Sequence, residues 1–210
     1  MEKAWTFKKE LISYYDELSR SYDELYGEEQ KRKYSVILKL LKHQKVHKAL
    51  DFGCGTGLLL EALRDYGMSL LVGIDVSRGM LTEAREKVLD EVDLILCDGE
   101  LLPIRDEVFD VVFMVTVFQN LYNKKLGLRH VIRVTKKRGL LFLSVPNRGI
   151  YPNELLNYVV SEDGVVLANI IPGDKDLIVI LKRIESTLKF DYLYKAISLT
   201  DEQRVKSISS

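Results

Sequence analysis

Gly53, Gly55 and Gly57 stand on alternate positions immediately after the stretch Ala49-Leu50-Asp51-Phe52. Glycine permits positive φ and places no Cβ in the way of a ligand lying along the backbone. In an open parallel sheet ligands lie beyond the carboxyl ends of the strands, where such a turn falls. Val72-Gly73-Ile74-Asp75 ends the next apolar run in a carboxylate, 18 residues past Gly57. An acid at that place can accept hydrogen bonds from both hydroxyls of a ribose. Cys97-Asp98-Gly99 ends the run after that, with an acid positioned for an adenine amino group. Singly, a glycine turn can serve only tight packing, and a strand-end Asp is most often a helix cap. All three in order at successive strand ends favour a nucleoside site.

The pattern also separates nucleosides. A dinucleotide fingerprint is G-x-G-x-x-G, its third glycine allowing close helix packing while the helix N-terminus faces a pyrophosphate. Here the pattern is G-x-G-x-G, with Leu58 where the dinucleotide glycine would stand. Asp51, two residues before the first glycine, suits a ligand carrying an ammonium group better than a pyrophosphate.

Alternating short apolar runs and amphipathic stretches position these residues. Strands are predicted at 47–52, 69–75, 93–97, 109–116 and 138–145. The helices between them are expected at about 58–66, from Met80 to Val88, at 124–137 and near 152–162. This alternation means a parallel sheet covered on both faces. The runs 165–171 and 176–184 are joined by four residues, too few for a parallel crossover, so they form an antiparallel hairpin. The predicted fold is therefore α/β: a Rossmann-like, doubly wound, mostly parallel seven-stranded sheet closed by an antiparallel hairpin. Residues 1–45 read as an N-terminal helical lid or appendage, with two helices separated at Gly27. In them Leu11, Tyr15, Leu18, Tyr22 and Leu25 recur at helical spacing, as do Tyr34, Ile37, Leu38 and Leu41. Residues 46–185 form the binding domain, and 186–210 a polar, frayed tail.

The motifs resemble a known family. Leu50 to Gly57 closely resembles the first motif of the class I S-adenosylmethionine-dependent methyltransferases, and Val72 to Ser77 their second acidic segment. Cys97 to Pro103 followed by Phe109-Asp110-Val111-Val112 is similar to the next motifs of the branch holding ubiquinone-type and wobble-uridine enzymes. The likeness runs from about residue 14 to 184 and speaks for cofactor and fold rather than acceptor. It implies that S-adenosylmethionine is the cofactor and S-adenosylhomocysteine the product. By position, Gly53, Gly55 and Gly57 would lie along the methionine portion, with Asp51 and Cys54 in the same segment. Asp75 would hold the ribose, Val76 and Met80 would meet the adenine, Asp98 its amino group beside Gly99, and the Val115 backbone the methionine end. Tyr22 matches an aromatic folded over the cofactor, and fits the apolar stripe of its helix equally well.

A sulfonium donor is already activated, so the protein needs chiefly to align donor and acceptor and exclude water. No catalytic base stands out. Val117-Phe118-Gln119-Asn120-Leu121-Tyr122 lacks the Asn/Asp-Pro-Pro-aromatic signature of exocyclic amine methyltransferases, and its amides read as a helix cap ahead of an acceptor role. Tyr14 or Tyr15 can reach the site from the N-terminal helices.

Lys plus Arg and Asp plus Glu are 31 each, so no whole-molecule field favours nucleic acid or a membrane surface. Residues 123–139 nevertheless carry seven basic side chains and no acid. A solvated helix is favoured over a phosphate-facing surface, and a small-molecule acceptor over RNA. No apolar run reaches membrane-spanning length and no secretory signal is present, so a cytoplasmic protein is expected. Two cysteines and three histidines without ligand spacing suggest neither disulfide nor metal. The third strand should lie at the sheet edge, where an unpaired apolar edge invites a small activator protein or a second copy. The competing readings are an NAD-dependent oxidoreductase and a non-catalytic S-adenosylmethionine-binding regulatory or assembly protein.

Overall fold

A computed structural model describes residues 2–88, 91–173 and 175–185. Two helices, α1 (Glu2–Leu18) and α2 (Tyr22–Leu41), precede the sheet. Then follow β1 (Lys48–Phe52), α3 (Leu58–Arg64), β2 (Leu70–Asp75), α4 (Arg78–Val88) and β3 (Asp93–Leu96). β4 (Phe109–Val115), α5 (Lys124–Val134), β5 (Thr135–Pro146), α6 (Tyr151–Ser161), β6 (Val165–Pro172) and β7 (Asp176–Arg183) complete the order. The seven strands run β3-β2-β1-β4-β5-β7-β6. The first five pair in parallel and β7 antiparallel to both neighbours, as the sequence predicts.

Strand alternation divides the core into two layers. Val112 and Met114 of β4 point with Leu141 and Leu143 of β5 toward α5 and α6, where Leu128, Val131 and Leu155 are wholly buried. Val111, Phe113 and Phe142 point the other way, onto Ile37 and Leu41 of α2 and Leu59, Leu60 and Leu63 of α3. Strands with apolar side chains on both faces are what buried parallel pairing requires. Reversal of order between β1 and β4 opens a crevice at their carboxyl ends, the switch point where such sheets bind ligands.

Three local expectations are corrected. The helix break falls at Ser19–Ser21, a single 3₁₀ turn, and not at Gly27, which lies buried within α2. The Ser19 hydroxyl donates to the Asp16 carbonyl (2.9 Å) and the Ser21 hydroxyl to Leu18 (3.2 Å), side-chain bonds that compete with helical pairing. Gly27 instead faces Leu58 of α3, and a Cβ there would meet it at an ordinary 4.0 Å. Leu25 is 61% exposed and does not continue the inward stripe. Finally, α5 stops at Val134, and Lys136, Lys137 and Arg138 belong to β5. The Thr135 hydroxyl donates to the Val131 carbonyl (2.6 Å), closing the helix. Arg138 takes φ +68° where the register slips between Phe109 and Val111. The tail at 186–210 lies outside the described residues.

Candidate functional site

The crevice is a cavity of about 810 Å³, its open mouth included. Its floor is the glycine turn, held in place by side chains from distant elements. Gly53, Gly55 and Gly57 take φ +76°, +53° and +80°. At Gly53 a Cβ would fall 2.5 Å from a Val117 methyl, and at Gly57 3.0 Å from Ala84. At Gly55 it would meet nothing within 4 Å, so a side chain there would stand in open space beside the cavity. Asp23 of α2 accepts a 2.5 Å hydrogen bond from the Thr56 hydroxyl and pairs with Lys87 at 2.8 Å, clamping the turn between α2 and α4.

Asp75 ends β2 against this turn. One carboxylate oxygen accepts from the Gly55 backbone N–H at 2.9 Å, the other from Ser77 N–H at 2.9 Å. Burial raises its pKa, while the backbone N–H groups of Ser77, Gly55 and Val76 pull it back down. Val76 and Met80 line the same wall, and Asp98 and Gly99 the next. Asp98 Oδ1 accepts from Glu100 N–H (2.9 Å), starting a 3₁₀ turn, and Oδ2 pairs with the ammonium of Lys8. Cys97, beside it, has a thiol pushed up to about 11, by burial first and then by the Asp98 charge. Val115 and Thr116 line the wall at the end of β4, and Tyr22 forms part of the roof.

Nine of the residues singled out in the sequence therefore share one cavity. Asp51, Cys54 and Gly57 are not on its wall. The Cys54 side chain turns into the core against Gly73, and Gly57 backs onto α4. Asp51 is 3% exposed, and its carboxyl is pushed up to about 8, by burial first and then by the charge of Asp75.

Of the two tyrosines expected to reach the site from the N-terminal helices, Tyr15 lines the cavity and Tyr14 does not. Lys8 and Leu11 of α1 join it, as do Val117, Asn120 and Leu121 of the segment after β4. Lys8 was legible: it stands three residues before Leu11 on the Leu11–Tyr15–Leu18 face. Asn120 Nδ2 donates to the Tyr15 hydroxyl at 2.8 Å, so the Tyr15 proton is free to point elsewhere. The cap of α5 is Asn123, whose Oδ1 accepts from Leu126 N–H, and not the amides at 119 and 120. Gln119 instead donates to the Thr116 carbonyl (2.7 Å), and Thr116 sits at φ +60°, a strained place for a β-branched residue. Tyr15 and Tyr22 have raised pKa values, mainly through burial. Gln30 Oε1 and Gln119 Oε1 are buried without a protein partner, unspent polar capacity beside the roof and inner wall.

Comparison with known proteins places this geometry. Residues 50–143 match the model of a methyltransferase domain. An uncharacterised Methanocaldococcus jannaschii protein is 35% identical over 144 residues, covering 67% of this chain and 53% of that protein. A Thermotoga maritima demethylmenaquinone methyltransferase is 27% identical over 176 residues, covering 80% and 76%. The chain thus spans about half the length of the first of these relatives. Among solved structures, a Haloferax volcanii protein in complex with the Trm112 methyltransferase activator superposes with TM-score 0.67 at 18% identity, covering 81% of this chain and 98% of that one. The Bradyrhizobium japonicum N-methyltransferase NodS, solved with S-adenosylhomocysteine, gives 0.62 at 17%, covering 74% and 87%. These likenesses establish a shared fold.

Proposed function

We propose, for a chain whose residues 50–143 belong to the methyltransferase-domain family, that it transfers a methyl group from S-adenosylmethionine to a small-molecule acceptor. The observation that carries this reading is the Asp75 carboxylate fixed against Gly55 inside a cavity that also holds Val76, Met80 and Asp98. The bare turn at 53–55 leaves room for the methionine portion. Asp75 receives the ribose hydroxyls, Met80 and Val76 flank the adenine, and Asp98 meets its amino group. The unpartnered amide oxygens of Gln30 and Gln119 suit an ammonium donor nearby. Bound there, the cofactor supplies an electrophilic methyl group.

The rest of the cavity wall includes Leu11, Tyr15, Val117, Asn120 and Leu121. Tyr15, held neutral by burial and braced by Asn120, donates a hydrogen bond to the acceptor rather than taking its proton. Charge on the surface supports the small-molecule acceptor over RNA. Lys124 pairs with Glu154, Lys125 and Arg129 with Glu162, Arg133 with Asp106, and Lys136 with Asp110. Lys137 and Arg138 sit at the starting end of β5, opposite the cavity.

β3 is a four-residue edge strand with Leu96 46% exposed beside Leu81 and Leu94. This exposed edge makes it the proposed seat of a small activator subunit, a kind of partner that the Haloferax complex supports. Among the described residues no helix is long and apolar enough to cross a membrane. Calorimetry with S-adenosylhomocysteine and with NAD tests the cofactor, since binding of NAD alone would overturn the reading. Transfer of labelled methyl groups into fractionated cell extract identifies the acceptor and separates an enzyme from a binding protein.

A further inference from the structure

Among its 17 residues, α1 buries none completely. It is tied down by polar contacts and one ring pair instead. Asp16 accepts from the Ser77 hydroxyl (2.5 Å) and from Gly79 N–H (2.8 Å). Tyr15 meets Asn120, and the Phe7 ring packs on Tyr122 with centroids 5.7 Å apart. The fourth tie differs in where it lands. Lys8 enters the cavity, its Nζ on Asp98 Oδ2 and 3.2 Å from Glu100 Oε2. Glu100 is itself buried, with its carboxylate also accepting from the backbone N–H groups of Tyr122 and Asn123. Glu100 is therefore engaged whether or not Lys8 is present, whereas the outer oxygen of Asp98 is engaged by Lys8 in particular.

We infer that Lys8 is a built-in competitor for the cofactor's adenine amino group, latching α1 across the site and letting go when the nucleoside takes Asp98. This rests on the cofactor reading above, because it needs Asp98 to be the acid that the nucleoside amino group seeks. Two donors cannot share one carboxylate oxygen along the same direction. An ammonium is the stronger, charge-assisted partner in isolation. The nucleoside prevails through its other contacts, and part of its binding energy is spent lifting Lys8. Displacement removes one of the four ties and so loosens α1, which carries Tyr15 on the acceptor side, linking cofactor occupancy and acceptor entry through one helix.

The chain offers its own reporter, since Trp5 is its sole tryptophan and stands on α1 one turn before Lys8. The test compares the full-length chain with Lys8→Met, which keeps the apolar stem and removes the charge. Calorimetry should show S-adenosylhomocysteine bound on the order of three- to tenfold more tightly by the variant, the scale of a partly exposed charged hydrogen bond. Wild-type affinity should rise with salt, and that slope should vanish in Lys8→Met. Weaker or unchanged binding by the variant, with wild type binding normally, overturns the competitor and leaves the cofactor reading intact. Failure of both proteins to bind S-adenosylhomocysteine overturns the cofactor reading and this inference with it. The latch has a ligand-free readout as well: amides of α1 should exchange faster, and Trp5 emission should shift, in Lys8→Met. Exchange and emission identical to wild type would show that Lys8 holds nothing.

Discussion

The Asp75 carboxylate lies 2.9 Å from the backbone nitrogen of Gly55, so the end of β2 and the turn after β1 are one structural unit. The two residues are 20 positions apart and come together because β1 and β2 are parallel neighbours in register, Asp51 opposite Gly73 and Phe52 opposite Ile74. The same carboxylate braces the start of α4 through Ser77.

Asp75→Asn should lower S-adenosylhomocysteine affinity by at least about tenfold, because the neutral amide is a poorer acceptor for ribose hydroxyls and one end of it becomes a donor. Calorimetry measures the loss, and circular dichroism checks that the sheet persists. Unchanged affinity in a folded variant would remove Asp75 from the binding residues.

Asp51 should make the protein less stable as pH rises. Its folded pKa, about 8, lies above the ordinary 3.8. Below pH 4 the carboxyl is protonated in folded and unfolded chains alike. Between pH 4 and 8 the unfolded chain releases a proton that the folded chain retains, so stability is lost across that window. Asp51→Asn should flatten the dependence and raise stability near pH 8 by roughly 1–2 kcal/mol. Thermal melts across the pH range read both effects.

Gly57→Ala should destabilise by about 2 kcal/mol or more, combining a left-handed residue with a Cβ pressed on the Ala84 backbone, whose Cα would lie 3.1 Å away. Denaturant titration measures it. Gly67→Ala, also at positive φ but with nothing within 4 Å of its Cβ, isolates the backbone contribution.

Lys33 is 7% exposed, with Asp176 Oδ2 at 2.7 Å and the Thr116 hydroxyl at 3.0 Å, joining α2 to the hairpin and the end of β4. Lys33→Met strands a buried carboxylate and should cost about 3–5 kcal/mol. Asp176→Leu added to it should restore most of that loss, because both buried charges are then gone. A double-mutant cycle by denaturation separates the coupling.

Tyr15→Phe should leave S-adenosylhomocysteine affinity within about twofold while lowering methyl transfer on the order of tenfold, the signature of a group that orients the acceptor. Transfer into extract and calorimetry on the same preparation provide the two readings. Equal losses in both would make Tyr15 a packing residue.

The linear order of residues determined most of the framework. Apolar runs of strand length alternating with helices, then two runs joined by four residues, dictated the parallel sheet and its closing hairpin, because backbone hydrogen bonds leave few other ways to bury such runs. Gly53, Gly55, Asp75 and Asp98 were legible because strand ends in a parallel sheet converge on one edge, whatever the loops between them do. The tertiary structure alone decided which neighbours each residue faces. Asp51 and Cys54 sit beside the turn in sequence yet lie behind the cavity wall: on β1 Asp51 alternates away from Phe52, and the left-handed turn at Gly53 then redirects Cys54 into the core. The break at Ser19–Ser21, the end of α5 at Val134 and the pairing of Lys8 with Asp98, 90 residues away, depend on contacts between elements. Local periodicity registers a face and a spacing, but carries no record of the partner that face will meet.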